Sequence, residues 1–311
     1  MNYFLKKISL RLLIVLLPCL LRAETSALEL KSAEAFKTRN VVIVVADGER
    51  YTETWGDPKH ENIPELSMIA AEGVVFTNCR NLGITLTVPA HAAMLTGCYD
   101  RDLDNKGESS ASRPSIFQRW LKNAQAPTGS AWIITSKAKL SVLANTTDVE
   151  WTDHYMPSVD CLDRPDKDTI PMVLAILKRD HPRLLLVNFS NPDRAGHAGK
   201  YKNYLQAIRD VDGYMAQIWE FLKEDPFYAR QTAFFLLNDH GRHTKMDSKS
   251  WGHGCNCDGC SHIMLFAAGP DFKKGIVAGE PVEQIDVPAT VARLLNLKLP
   301  DSKGKVLKSV F

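Results

Sequence analysis

Five short and continuously apolar stretches limit, more than any other feature, how this chain can fold. They are rich in valine, isoleucine, leucine and phenylalanine, and they cover residues 40–48, 131–136, 183–190, 232–241 and 262–270. Their apolar residues do not alternate with polar ones, which is typical of strands that are covered on both faces of a sheet.

Helical periodicity fills the sequence between these stretches. Residues 115–124, 169–180 and 204–225 repeat apolar side chains at the spacing of one helix face, and 287–297 is a further short helix. Strands that alternate with helices predict an α/β fold with a mostly parallel central sheet and helices on both faces. In such folds, ligands bind in the loops at the carboxyl ends of the strands.

The start of the chain has a different pattern. Basic residues precede a short apolar stretch there, and small and polar residues follow it. This pattern predicts a signal peptide over residues 1–23, with Ala27 as the latest site of cleavage, and hence an exported protein, periplasmic or secreted. The apolar stretch is shorter than the roughly 20 residues of a membrane-spanning helix and contains Pro18, so we expect no stable membrane span. Cys19 leaves lipidation open as an alternative.

Composition limits the number of domains and the kind of partner. With 45% hydrophobic and 24% charged residues among 311, the chain is an ordinary globular protein, and we expect a single domain over 24–311. Cleavage after residue 23 removes four basic side chains and no acidic one, which changes the formal charge from +2 to −2. We therefore expect no nucleic-acid-binding surface. The sequence leaves the oligomeric state open.

Three of the predicted strands lead into side chains that can bind a metal ion, and a further histidine follows on a loop. These residues are Asp47, Asp193, His197, Asp239, His240 and His253. Taken alone, such an aspartate is more often a turn or helix cap than a metal ligand, and a single histidine is usually structural. Independent caps would seldom occur in this order after successive strands. Three carboxylates and three imidazoles suit two divalent cations, and these ligand types suit Zn²⁺.

A threonine occupies a position suited to a nucleophile. Residues 84–97 change from a threonine-rich segment into a helix that begins near Pro89, because proline is favoured in the first helical turn. Thr87 would then lie at the helix N-terminus, where free backbone N–H groups favour an oxyanion. Its hydroxyl becomes an effective nucleophile once a bound cation helps to remove the proton.

Together, these motifs resemble those of the alkaline phosphatase superfamily, in particular its nucleotide pyrophosphatase/phosphodiesterase and sulfatase-like branch. "VVADGER" is similar to the first metal-binding strand of that family, and "TVPAHAAMLTG" to its nucleophile helix. "NPDRAGHAG" is similar to its PD-x-x-GH-x-x-G motif, "NDHGRH" to its DHG motif, and residues 282–300 to its closing segment. The resemblance implies an alkaline-phosphatase-like fold over nearly all of the mature chain.

The resemblance also implies a two-metal hydrolase of a small phosphate ester, with a phosphothreonine intermediate at Thr87. It implies that one cation is held by Asp47, Thr87, Asp239 and His240, and the other by Asp193, His197 and His253. Three further residues are weaker candidates for contacts with the substrate, namely Arg50, His91 and His243.

Residues near the nucleophile favour phosphoryl transfer over sulfate hydrolysis. Sulfatases of the superfamily carry Cys or Ser in a C/S-x-P-x-R motif, whereas Thr87 and His91 occupy those two positions here. Ala90 stands where diesterases of that branch often have asparagine, so both monoesters and diesters remain open as substrates. The alternatives are a sulfatase-like hydrolase, a transferase that passes a phosphoryl-linked headgroup to a sugar or lipid, and a binding protein without turnover.

A cysteine-rich segment before the last apolar stretch has no place in these motifs. Cys255, Cys257 and Cys260 lie close together in the sequence, and His262 follows them. In an exported protein they favour at least one disulfide, and a small structural zinc site is the alternative.

Overall fold

The five apolar stretches form the centre of one sheet. The computed structural model describes residues 36–245 and 251–311, and within these the sheet has nine strands. The strands are β1 Asn40–Ala46, β2 Gly73–Arg80, β3 Ala131–Thr135, β4 Ser158–Cys161, β5 Leu184–Phe189, β6 Thr232–Leu237, β7 His262–Ala268, β8 Ile276–Ala278 and β9 Val282–Glu283. Their order across the sheet is β4-β3-β5-β1-β6-β7-β2-β8, and β9 pairs with β2.

The mostly parallel sheet that the sequence predicts is confirmed. Neighbouring strands pair in parallel from β4 to β6, and only β7 runs antiparallel, to both β6 and β2. The connection from β6 to β7 has no long crossover helix among its described residues, which is what lets the chain return antiparallel. The sequence pattern missed β2, because its second half carries Thr77, Asn78 and Arg80.

The α-helices of the described residues cover the sheet. They are α1 Pro64–Ile69, α2 Thr87–Thr96, α3 Ile116–Ala124, α4 Asp166–Asp180, α5 Asn191–His197, α6 Tyr201–Glu224, α7 Asp258–Ser261 and α8 Asp286–Leu294. The four helices predicted from periodicity are confirmed as α3, α4, α6 and α8. Helix α4 begins three residues earlier than its apolar pattern, because its first turn is acidic, with Asp166 and Asp168.

Both faces of β1 are buried, as its unbroken apolar sequence predicts. Val42 and Val44 face a cluster that includes Val173 of α4 and Ile208 of α6. Ile43 points to the opposite face and is also buried, and α2, α3 and α8 pack against one another. Both faces of the central strand are thus covered, and among the described residues the loops at the ends of the strands are the natural place for a site.

The described residues from Lys37 onward form one compact unit. The predicted signal peptide over residues 1–23 lies outside the described residues. Within the described part of the chain, no helix combines the length and the apolar character that crossing a bilayer requires.

A buried aspartate of α6 caps the start of α1. The carboxylate of Asp212 accepts hydrogen bonds from the backbone N–H groups of Glu65, at 2.8 Å, and Leu66, at 2.9 Å. We expect Asp212→Ala to lower the free energy of unfolding by about 1–2 kcal/mol, because a helix start loses its capping acceptor. Urea unfolding measures this change. Glu220→Ala, on the exposed face of the same helix, is the control, and an equal loss in both variants would contradict the capping role.

Candidate active site

The carboxyl ends of four adjacent parallel strands meet at one edge of the sheet. In the order β3, β5, β1 and β6, these ends carry Lys137, Asn188, Asp47 and Asp239. All four side chains are buried. The rule that ligands collect at the carboxyl ends of parallel strands located three of these ends from the sequence, and the fourth, after β3, was missed.

The first group of predicted metal ligands converges in the structure. Asp47, Asp239 and His240 each offer a ligand atom, and these atoms lie within 4.8 Å of one another. His240 Nε2 is 3.2 Å from Asp239 Oδ2 and 3.8 Å from Asp47 Oδ1. His240 Nδ1 lies 2.9 Å from the carbonyl of Gly241. That contact assigns the ring proton to Nδ1 and leaves the Nε2 lone pair facing the two carboxylates.

The second group also converges, around the carboxylate of Asp193. The Nε2 atoms of His197 and His253 each lie 3.4 Å from Asp193 Oδ1, and they are 3.1 Å apart. His253 Nδ1 lies 2.8 Å from the carbonyl of Thr85, which directs Nε2 towards Asp193 in the same way. Asp193 and His197 lie on α5 at a spacing of four residues, so that one helical turn places both on the same face.

Thr87 lies next to Lys137, a side chain that contacts both groups. It is the first residue of α2, as the sequence predicts, and its hydroxyl oxygen is 3.2 Å from the ammonium nitrogen of Lys137. The same nitrogen is 3.0 Å from Asp47 Oδ1 and 2.6 Å from Asp193 Oδ2. One cationic side chain thus connects the candidate nucleophile to a carboxylate of each group.

The start of α2 offers fewer free donors than the sequence suggests. The backbone N–H of Val88 donates to Asn105 Oδ1 at 2.9 Å, and Pro89 has no N–H. The N–H of Ala90 donates to the carbonyl of Leu86. These backbone groups therefore offer little to an oxyanion, and the side chains around Thr87 matter more.

Two buried ligand atoms have no hydrogen-bond partner among the described residues. They are Asp239 Oδ2 and His240 Nε2. Buried polar atoms of native proteins nearly always have a partner, and here both atoms point at the same small space. Their type and placement fit a divalent cation bound by oxygen and imidazole nitrogen.

The charge balance of the site also favours a bound divalent cation. The carboxylates of Asp47, Asp193 and Asp239 face two buried cationic side chains, Lys137 and Arg242, so one negative charge is unbalanced. Burial, together with the charge of Asp47, raises the pKa of Asp239 to about 7. Added positive charge is needed for all three carboxylates to stay ionised at neutral pH.

The histidines are in the form that binds metals. Burial lowers the pKa of His240 to about 4, and burial together with the neighbouring His240 ring lowers that of His253 to about 3. Burial also lowers the pKa of His197. All three rings are therefore neutral near pH 7, with a lone pair free to coordinate a cation.

Sequence reasoning missed Lys137, Asn188 and Arg242. Asn188 Nδ2 lies 3.0 Å from Asp47 Oδ2 and 3.1 Å from His91 Nε2, which orients both. Lys137 directly follows an apolar stretch, and this position could have identified it. It was not predicted because lysine is not a usual metal ligand. Arg242 is completely buried and its guanidinium contacts the carboxylate of Asp193.

A glycine leaves the space that Arg242 occupies. A Cβ atom at Gly196 of α5 would collide with the guanidinium group of Arg242. We expect Gly196→Ala to lower the free energy of unfolding by about 1–3 kcal/mol through overpacking, and to weaken binding of an added divalent cation because Arg242 holds Asp193. Thermal unfolding and metal analysis measure both effects. The control is Gly213→Ala in α6, where a Cβ meets nothing within 4 Å. It should stabilise the helix by about 0.5–1 kcal/mol.

The three weaker candidates for substrate contacts, Arg50, His91 and His243, all have partners within the protein. Arg50 pairs with Glu53, and its guanidinium stacks on Trp251. His91 is completely buried, with Nδ1 2.8 Å from the carbonyl of Thr87, so it supports the first turn of α2. His243 lies against the cysteine-rich segment.

The disulfide that export favours is not formed among the described residues. All six described cysteines are free thiols, and the sulfur atoms of Cys255 and Cys260 are 3.8 Å apart. A disulfide bond is about 2.05 Å long. His262 is also separate from the cysteines, since it stacks on Tyr51 and its Nε2 contacts the carbonyl of Thr77.

Comparison with known proteins gives a family and a fold. The Sulfatase family model matches residues 39–297. GPI ethanolamine phosphate transferase 2 from Aspergillus fumigatus is 27% identical over 248 residues, which are 70% of this chain and 30% of that protein. The chain thus spans less than a third of the length of this relative.

Two solved structures share the fold at low identity. The alkaline phosphatase PafA superposes with a TM-score of 0.67 at 11% identity, covering 90% of this chain and 100% of that one. Murine ectonucleotide pyrophosphatase/phosphodiesterase 5 superposes with a TM-score of 0.64 at 15% identity, covering 86% of this chain and 97% of that one. With a family model that matches most of its length and a fold shared with these enzymes, the chain belongs to the Sulfatase family of the alkaline phosphatase superfamily, whose members are hydrolases and phosphoryl transferases.

Proposed function

We propose that the protein is an exported, metal-dependent hydrolase of small phosphate esters that acts through a phosphothreonine intermediate at Thr87. The observation that carries this proposal is the position of the Thr87 hydroxyl. It lies at the start of α2, 3.2 Å from the Lys137 ammonium, with that ammonium also bound to Asp47 and Asp193.

Two divalent cations, which we propose to be Zn²⁺, are held by the two groups of ligands. Asp47, Thr87, Asp239 and His240 would hold one, and Asp193, His197 and His253 the other. Bound there, they supply positive charge that lowers the pKa of the attacking hydroxyl and balances the charge on the phosphoryl oxygens.

The side chains of this chain divide the remaining work. Thr87 Oγ1 forms a bond to phosphorus while the bond from phosphorus to the ester oxygen breaks, and the alcohol leaves. Water then attacks the phosphothreonine, releases phosphate or a phosphomonoester, and restores the hydroxyl. The Lys137 ammonium stabilises the Thr87 oxygen as its charge develops, and Asn188 and His91 hold the surrounding groups in place.

Hydrolysis of chromogenic esters tests this function. Purified protein is assayed on p-nitrophenyl phosphate, a p-nitrophenyl phosphodiester, a p-nitrophenyl phosphonate and p-nitrophenyl sulfate, with and without chelator. We expect a phosphorus ester to be cleaved, the rate to fall with chelator, and zinc to restore it. Acid quenching during turnover should leave one phosphoryl group on the peptide that contains Thr87. Turnover of the sulfate alone would overturn the proposal.

A headgroup transferase is the second candidate. The similarity to GPI ethanolamine phosphate transferase 2 favours it, and a covalent phosphothreonine suits transfer as well as hydrolysis. The molecule that accepts the phosphoryl-linked headgroup distinguishes the transferase from the hydrolase. If a phosphoethanolamine donor lipid releases its headgroup only when a sugar or lipid acceptor is added, transfer is the activity. Release at the same rate into water supports the hydrolase.

A further inference from the structure

The cysteine-rich segment meets a histidine from the loop that follows β6. His243 and three cysteines, Cys255, Cys257 and Cys260, each offer a ligand atom, and these four atoms lie within 4.8 Å of one another. None of the four belongs to the two ligand groups of the active site. The sequence spacing alone pointed to His262 as a fourth partner, and the structure replaces it with His243.

The separations between the ligand atoms match a tetrahedral zinc site. Zinc–sulfur bonds of about 2.3 Å and a zinc–nitrogen bond of about 2.05 Å place two sulfurs about 3.8 Å apart, and a sulfur and the nitrogen about 3.6 Å apart. The Cys255 and Cys260 sulfurs are 3.8 Å apart. His243 Nδ1 is 3.2 Å from the sulfur of Cys255, 3.4 Å from that of Cys260 and 3.9 Å from that of Cys257.

The backbone around the cysteines is arranged for a metal as well. The N–H of Cys257 donates to the Cys255 sulfur at 3.4 Å, and the N–H of Cys260 donates to the carbonyl of Cys257 at 3.0 Å. These bonds turn the chain so that three sulfurs face one point. A Cβ at Gly259 would collide with the carbonyl of Arg242, so the close approach of the two loops requires glycine there.

We propose that His243, Cys255, Cys257 and Cys260 bind one zinc ion in a structural Cys₃His site, separate from the active-site cations. The site joins two loops that each carry an active-site residue. Arg242 directly precedes His243, and His253 comes two residues before Cys255. Zinc at this point therefore fixes the position of Arg242, whose guanidinium binds Asp193. It also fixes His253, a proposed ligand of the second active-site metal.

Replacement of zinc by cobalt tests the site without an assay of activity. Cobalt(II) bound by three thiolates gives sulfur-to-metal charge-transfer absorption, which oxygen and nitrogen ligands do not give. We expect this absorption from the wild-type protein, its loss or marked weakening in Cys257→Ser, and its retention in Asp193→Asn. Cys161→Ser, at a cysteine outside the cluster, is the matched control and should keep both the absorption and the turnover.

Zinc content and thiol reactivity give a second measurement. Cys257→Ser should lose one zinc per chain by elemental analysis, and His243→Cys, which keeps four ligands, should retain it. In the wild-type protein, the three cluster cysteines should react with iodoacetamide faster after zinc is removed. Absence of thiolate absorption, or a native mass lower by two hydrogens that shows a disulfide among the cluster cysteines, would overturn the site. Either result leaves the ester hydrolysis proposal untouched.

Discussion

Thr87→Ala should lower kcat/KM for the preferred phosphate ester by about a thousandfold or more, because the proposed nucleophile is removed and only the proposed cations remain. The hydroxyl lies next to Lys137 Nζ at 3.2 Å, and the side chain is almost completely buried at the start of α2. Initial rates measure the loss, and acid-quench mass spectrometry should show no phosphorylated peptide.

Two variants make the result specific to the hydroxyl. Thr87→Ser keeps a hydroxyl at the same position and should retain a measurable rate and the phosphorylated peptide. Thr96→Ala removes a hydroxyl from the other end of the same helix, where it donates to the carbonyl of Ala92, and should turn over like the wild type. Near-normal turnover by Thr87→Ala would mean that water attacks directly, and the covalent intermediate would have to be abandoned.

Lys137→Met should lower the rate by about a hundredfold to a thousandfold, the effect of removing one preorganised charge from a developing oxyanion. The ammonium is buried and contacts Asp47, Asp193 and Thr87. Burial opposes its charge, but the carboxylates outweigh burial and hold the pKa of Lys137 above its ordinary value. With these two carboxylates as its partners, the ammonium is protonated at neutral pH.

Metal content separates a catalytic role of Lys137 from a structural one. Removing a positive charge from beside Asp47 and Asp193 should leave binding of the proposed zinc ions unchanged or increase it, while the rate falls. A variant that only damaged the fold would lose both zinc and stability. Lys167→Met, at an exposed lysine in the first turn of α4, is the control. Equal rates in Lys137→Met and the wild type would remove this lysine from the chemistry.

Local sequence patterns were sufficient to predict most of the sheet and to locate the side chains that meet at its edge. Unbroken apolar stretches identified five strands, since burial on both faces leaves no position for a polar residue. Asp47, Asp239 and Asp193 were located because each follows such a strand, and parallel strands end at a common edge. The strand β2 was not predicted, because Thr77, Asn78 and Arg80 interrupt its apolar pattern.

The cationic side chains of the site and the histidine beside the cysteines depend on contacts between segments that are distant in the sequence. Lys137 lies 90 residues from Asp47 and 50 from Thr87, and Arg242 lies 49 from Asp193. Nothing in the immediate sequence of these two cations marks a partner. The same holds for the cysteines. His262 is their neighbour in the sequence, but His243 is the histidine that lies beside them in space.

The sequence by itself determined the α/β fold, the edge of the sheet at which a site forms, and the residues suited to bind cations there. Tertiary structure alone decided which positive side chains balance those carboxylates and which histidine joins the cysteines. The physical reason is that burial and periodicity depend on neighbours along the chain, whereas charge balance and coordination depend on neighbours in space.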